Sequence, residues 1–256
     1  MAERSTYAQG EPCWSDVTVA DPRAAQDFYG PVFGWTFVDQ GEQFGHYTMC
    51  MLNGAPVAAL SPPPPGSEDM PPVWGVYLST PDVDAALAAA ERAGGRVAFS
   101  PMDIPGSGRM AYVFDPTGAG IGFWQAEGFV GAARRDEPGA VGWCELVTAD
   151  GAAADRFYQA VFSYEAQDPL PDVTMDYTVW KTDGREVCGR LATADDPPPR
   201  WLTYFGVADA DGTAATVGKL GGQVFREPWD TPFGRMVGVA DPFGARFIAF
   251  QAPPDR

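Results

Sequence analysis

Apolar positions along the chain change period in a fixed order. An extended, partly alternating stretch, Cys13 to Val19, leads to an aspartate able to cap a helix. Next comes Ala24 to Val32, where Ala25, Phe28, Tyr29 and Val32 share one helical face. Short strands are predicted at Trp35 to Val38, Tyr47 to Leu52 and Pro56 to Leu60. The run Pro62 to Pro65 predicts a loop, because proline has no N–H to donate to a ladder. The order then starts again, with a strand at Val73 to Leu78, a helix at Val83 to Ala93, and strands near Val97, at Met110 to Phe114 and at Gly120 to Trp124. Each half of the chain reads βαβββ twice.

The second half repeats the first. Trp14-Ser15-Asp16-Val17-Thr18-Val19-Ala20-Asp21 returns as Trp143-Cys144-Glu145-Leu146-Val147-Thr148-Ala149-Asp150, and Phe28-Tyr29 returns as Phe157-Tyr158. Gly108-Arg109-Met110 followed by Asp115-Pro116-Thr117-Gly118 matches Gly234-Arg235-Met236 followed by Asp241-Pro242-Phe243-Gly244. Two similar domains of about 125 residues follow, at 10–126 and 139–252, with the polar stretch 127–138 as linker. The Asp-Pro-x-Gly segments need only a turn to explain them, and Gly94-Gly95 and Gly221-Gly222 are suited to end helices.

A strand ending in aspartate, a helix carrying Phe-Tyr seven residues on, and a closing Asp-Pro-x-Gly turn together resemble the vicinal oxygen chelate superfamily of glyoxalase I, bleomycin-resistance proteins and extradiol dioxygenases. The resemblance covers roughly residues 10 to 126 and 139 to 252. Arg-Ser-x-Tyr-x-x-Gly-x-Pro-x-Trp (Arg4 to Trp14) and Pro-Pro-x-Trp (Pro71 to Trp74) look like its actinobacterial two-domain "27 kDa antigen" type, often labelled glyoxalase-like or hydroxylase. For the fold, the resemblance implies an α+β chain of tandem vicinal oxygen chelate domains. Four βαβββ units would form two cup-shaped, mixed but mostly antiparallel sheets, with helices outside. For chemistry, it implies a divalent metal held by His, Glu or Gln at three strand positions of a cup. Those positions fall here on Trp14, Gly75 and Gly122, and in the second cup on Trp143, Leu202 and Ile248. None of the six offers a side-chain donor suited to such a metal. With one histidine in the chain, a two-histidine site is impossible.

Because strand side chains alternate, residues two positions from these sites face the same cavity. That places Trp14, Asp16, Tyr77 and Trp124 in the first cup and Trp143, Glu145, Tyr204 and Phe250 in the second. Such a pocket suits a planar, largely apolar ligand held by stacking and oriented by a few polar groups. Asp16 and Glu145 are candidate acids or bases, since a carboxylate among aromatics is desolvated and its pKa rises; the alternative is a core carboxylate bonded to Tyr77 or Tyr204. His46, the single histidine, is a further catalytic candidate because it titrates near neutrality, against a plain surface role. Arg109 and Arg235 are candidates to grip a ligand carboxylate or enolate, or to pair with Asp103 and Asp230.

Composition narrows the partners. A net charge of −17 over 256 residues repels nucleic acid and anionic lipid, so the expected partner is a small molecule. No apolar run is long enough to span a bilayer, and the N-terminus lacks the pattern of a signal peptide, so a cytoplasmic address is expected. Cys13, Cys50, Cys144 and Cys188 are scattered and read as reduced, buried thiols. No organic cofactor is expected and a divalent metal stays open; the chain is expected to be a monomer or a homodimer. Three functions follow: a metal-independent binding protein for an aromatic metabolite or antibiotic; a metal-free cyclase, isomerase or hydroxylase using Asp16 or Glu145; and a metal-dependent lyase or dioxygenase.

Overall fold

The computed structural model describes residues 3–63, 72–167, 175–194 and 198–253. Pro64 and Pro65 of the proline run, and Pro71 of the Pro-Pro-x-Trp motif, lie outside the described residues. The first half holds β1 (Pro12–Thr18), α1 (Pro22–Phe33), β2 (Thr36–Asp39), β3 (Thr48–Leu52), β4 (Ala55–Ser61), β5 (Trp74–Ser79), α2 (Val83–Arg92), β6 (Arg96–Ile104), β7 (Gly108–Phe114) and β8 (Gly120–Ala126). The second half repeats them as β9 (Val141–Thr148), α3 (Gly151–Phe162), β10 (Glu165–Gln167), β11 (Asp176–Thr182), β12 (Arg185–Ala192), β13 (Arg200–Gly206), α4 (Ala210–Lys219), β14 (Gln223–Thr231), β15 (Gly234–Ala240) and β16 (Arg246–Gln251). The repeated aspartates are helix caps. Asp21 accepts from Arg23 N and Ala24 N at 3.0 Å, and Asp82, Asp150 and Asp209 accept backbone N–H groups at the starts of α2, α3 and α4.

Each half folds into its own eight-stranded sheet, in the orders β2-β3-β4-β1-β5-β8-β7-β6 and β10-β11-β12-β9-β13-β16-β15-β14. The first strand of every unit runs parallel to the last strand of that unit, and the other pairings are antiparallel, including the central contacts β1–β5 and β9–β13. Neither sheet closes, because β2 and β6, like β10 and β14, remain as edges. The expected α+β architecture of four βαβββ units in two cup-shaped sheets is what the structure shows. Among the described residues no helix is long and apolar enough to cross a membrane.

On the helix-bearing side the two domains share one core, with α1 against α4 and α2 against α3. The repeated motifs build this seam reciprocally. Tyr29 Oη donates to Asp241 Oδ2 of the second Asp-Pro-x-Gly at 2.8 Å, and Tyr158 Oη donates to Asp115 Oδ2 of the first at 3.0 Å. The other oxygen of Asp115 accepts Thr117 N, Gly118 N and Ala119 N inside its own turn. Phe157 lies over Gly95, where a Cβ would come within 2.9 Å of its ring, and Phe28 lies over Gly222 in the same way. Asp-Pro-x-Gly therefore does more than turn the chain: its carboxylate ties one domain to the other. All four cysteines are free and buried.

Residues 129–135 of the connecting segment are packed against the first domain, and Pro138 then bridges to Gly206 of the second. Ala132 N donates to Cys13 O and Ala133 N to Pro56 O, both at 2.8 Å, while Arg135 Nη1 reaches Pro12 O at 2.7 Å. The N-terminal segment lies alongside, with Tyr7 Oη on Ala132 O.

Candidate functional site

Strand register places the candidate residues on the concave faces. Trp14 is paired with Tyr77 and Asp16 with Gly75 across β1–β5, and Tyr77 is paired with Gly122 across β5–β8. In the second sheet Trp143 is paired with Tyr204, Glu145 with Leu202 and Tyr204 with Ile248. The alternate residues, such as Val76, Phe123, Trp201 and Phe247, enter the core shared by the domains.

In the first cup the structure brings Trp14, Asp16 and Tyr77 together and adds Tyr47. The Trp14 indole donates to Tyr47 Oη at 2.7 Å, and the Tyr47 and Tyr77 hydroxyls both donate to Asp16 Oδ2, at 2.9 and 3.2 Å. The second cup repeats the group. Trp143 donates to Tyr177 Oη at 2.9 Å, Tyr204 donates to Glu145 Oε1 at 2.7 Å, and Tyr177 stands close enough to favour the charged form of that carboxyl. Burial pushes Asp16 and Glu145 up to about 6, against the opposing pull of the tyrosine hydrogen bonds. Tyr47 and Tyr177 are the residues missing from the sequence reading. Their signal was the alignment of His46-Tyr47 with Asp176-Tyr177.

Trp124 faces the first cup and donates to Phe129 O at 2.8 Å; Phe250 sits half-buried over Gly142 in the second. The remaining candidates are placed elsewhere. His46 lies on an exposed turn at φ 61°, with Nδ1 2.9 Å from Asp39 Oδ2, which raises its pKa. Arg109 pairs with Asp84 through two nitrogens at 3.1 Å and with Asp103 at 2.6 Å; Arg235 pairs with Asp211 and Asp230 in the same manner. Of the two roles considered for these arginines, the structure displays the pairing with carboxylates, clamping a β-hairpin to the start of a helix.

The positions of the expected metal ligands do not fit a metal. The Tyr77 ring covers Gly122, lying 2.2 Å from where a Cβ would stand, and Leu202 and Ile248 pack with Val147 in a buried apolar cluster. Among the described residues no three His, Cys, Asp or Glu side chains gather into a donor set. A separate cleft of about 390 Å³ lies at the domain seam, lined by Val32, Gly139, Asp209 and Thr213 among others. Its one titratable lining residue, Asp209, is already engaged as the α4 cap.

Comparison with known proteins matches residues 14–123 and 140–248 to the model of the Glyoxalase/Bleomycin resistance protein/Dioxygenase superfamily. The chain is 40% identical over 261 residues to "Putative glyoxylase CFP32" of Mycobacterium tuberculosis, covering 100% of both chains. It is 39% identical over 258 residues to "Anthracycline biosynthesis protein DauV" of Streptomyces sp. strain C5, covering 94% of this chain and 93% of the relative. Among solved structures, the Mn(II)-bound glyoxalase of Novosphingobium aromaticivorans aligns at a TM-score of 0.67 with 19% identity, covering 98% of this chain and 83% of the other. The 2,3-dioxygenase LapB of Pseudomonas sp. KL28 aligns at 0.65 with 14% identity, covering 98% and 96%. At these identities the two structures speak for the fold alone.

Proposed function

Because the chain belongs to the glyoxalase/bleomycin resistance protein/dioxygenase superfamily, and its cups carry Trp, Gly, Leu and Ile where ligating side chains are expected, with aromatic side chains beside them, we propose that it binds or transforms a planar, largely apolar small molecule without a metal. The observation that carries this reading is the group of tryptophan, two tyrosines and a carboxylate built twice on the concave faces, hydrogen-bonded throughout in the first and in two pairs in the second. Stacked rings supply affinity for a flat ligand, and the few polar groups set its orientation. A relative named for anthracycline biosynthesis supports a fused aromatic metabolite or antibiotic as the ligand class, and secondary metabolism as the setting. The protein acts on this ligand in the cytoplasm, as a monomer or homodimer. Elemental analysis of purified protein tests the metal-free part: the expected result is no stoichiometric divalent metal, and one Mn, Fe or Zn per chain overturns it.

The raised carboxyls favour a second reading, a metal-free enzyme in which Asp16 or Glu145 moves a proton on the bound ring system. A carboxyl held near 6 is poised to take or give a proton near neutral pH. In this reading Asp16→Asn keeps ligand affinity and loses turnover; unchanged turnover counts against it.

A further inference from the structure

We propose that only the first cup takes the ligand, and that the ligand is an uncharged, flat, fused-ring molecule with a hydroxyl group that donates to Asp16. The inference rests on the aromatic-ligand reading above and selects between its two cups. The two carboxylates differ in access. Asp16 is half-buried, whereas Glu145 keeps 5% of its surface. The residue across the ladder from Asp16 is Gly75, and from Glu145 it is Leu202; the next floor position is Gly122 in one cup and Ile248 in the other. Leucine and isoleucine thus close the floor around Glu145, while beside Asp16 the floor is glycine, Gly122 lying under the Tyr77 ring and Gly75 under Asp16 itself. Both tyrosines bond Oδ2 of Asp16, and Oδ1 is turned toward Gly75, 3.0 Å from where a Cβ would stand.

The rims differ in the same direction. At equivalent places on the edge strands β6 and β14, Phe99 and Met102 answer to Arg226 and Trp229. Phe99 is 51% and Met102 50% exposed, next to the cup-facing Tyr112 and Met110 with which they pair. Apolar surface left in water beside an aromatic interior is what a flat apolar ligand would cover. Arg226 instead stacks on Trp229 at 3.7 Å, and together with Arg200 it places positive charge near Glu145. Among the described residues no Lys or Arg acts on Asp16, whose environment is set by burial and the two tyrosine hydrogen bonds, so an anionic ligand would meet Asp16 with nothing beside it to balance the charge. Phe129 walls off one end of the slot, edge-on to Trp14 at 4.9 Å.

Titration of the full-length chain with 1,4-dihydroxyanthraquinone, unsubstituted anthraquinone and anthraquinone-2-sulfonate, followed by tryptophan quenching, tests the assignment. The expected result is one dihydroxy molecule per chain, bound at least tenfold more tightly than the sulfonate. Gly75→Leu, which copies the second cup's floor, weakens binding at least tenfold, and Arg226→Ala leaves it within about twofold. Asp16→Asn preserves shape, so it reports even where Gly75→Leu fails to fold: it weakens the dihydroxy compound about tenfold and leaves unsubstituted anthraquinone unchanged. Two molecules per chain, preference for the sulfonate, or loss of binding in Arg226→Ala with full binding in Gly75→Leu overturns the choice of cup. An equal loss of both anthraquinones in Asp16→Asn overturns the hydroxyl contact. A wild-type chain that binds none of the three overturns the aromatic-ligand reading on which the choice depends.

Discussion

The two cups carry the same tryptophan–tyrosine–carboxylate–tyrosine group at matching strand positions, yet they enclose different spaces. Around Asp16 the floor is Gly75 and Gly122 and the far end is walled by Phe129; around Glu145 the floor is Leu202 and Ile248, and Trp143 remains half-buried. The difference teaches that the scaffold and the access to its polar group are set by separate residues. Asp caps, Phe-Tyr pairs and Asp-Pro-x-Gly turns hold both domains alike, while the floor and rim side chains differ from cup to cup.

The largest expected effect tests the shared scaffold. Asp115→Ala leaves the buried Tyr158 hydroxyl and three turn N–H groups without their acceptor, and Asp241→Ala does the same to Tyr29 and its own turn. Each should cost at least about 3 kcal/mol in urea unfolding, the upper cost of one buried group left unsatisfied. If only one of the pair is costly, the two domains are not held alike.

Phe129→Ala sharpens the contrast at the cup ends. Phe129 is half-buried against Trp14 and Trp124, so its removal should cost about 2 kcal/mol, below the usual range for a fully buried ring. It should also shift the tryptophan emission to the red as Trp14 meets water. Unchanged emission would mean that the linker does not seal this cup.

The pH dependence follows from the raised carboxyls. Asp16 and Glu145 sit near 6 in the folded chain, above an unfolded range of about 4, so folding favours their neutral forms. That contribution is complete below about pH 4 and is lost as pH rises through 6, amounting to about 2 kcal/mol for each group. Asp16→Asn and Glu145→Gln should each remove their share of this slope in urea midpoints measured across that window. Ligand should move the Asp16 titration and leave that of Glu145 in place. The smallest effect is expected from Arg109→Ala and Arg235→Ala, whose ion pairs lie at the surface; any change in thermal midpoint should vanish at high salt.

Much of this was legible in the chain because it rests on local period. The repeat, the strand order and the facing of Trp14, Asp16 and Tyr77 follow from two-residue alternation and matched motifs. Tyr47 was harder to see: β3 reaches β1 only through β4, so its place beside Asp16 depends on two pairings that no local pattern states. The partners of Asp115 and Asp241 lie 43 and 212 residues away on helices of the opposite domain, beyond the reach of periodicity. The segment 127–138 reads as a polar connection, but Phe129 and Ala132 anchor it against the first domain, and that anchoring comes from tertiary packing alone.

The most direct test is native mass spectrometry of the chain purified from its own host. The account predicts one organic molecule of fused-ring mass per chain, released by Gly75→Leu, and no divalent metal. A chain carrying one metal ion, or holding two copies of the small molecule, would contradict it.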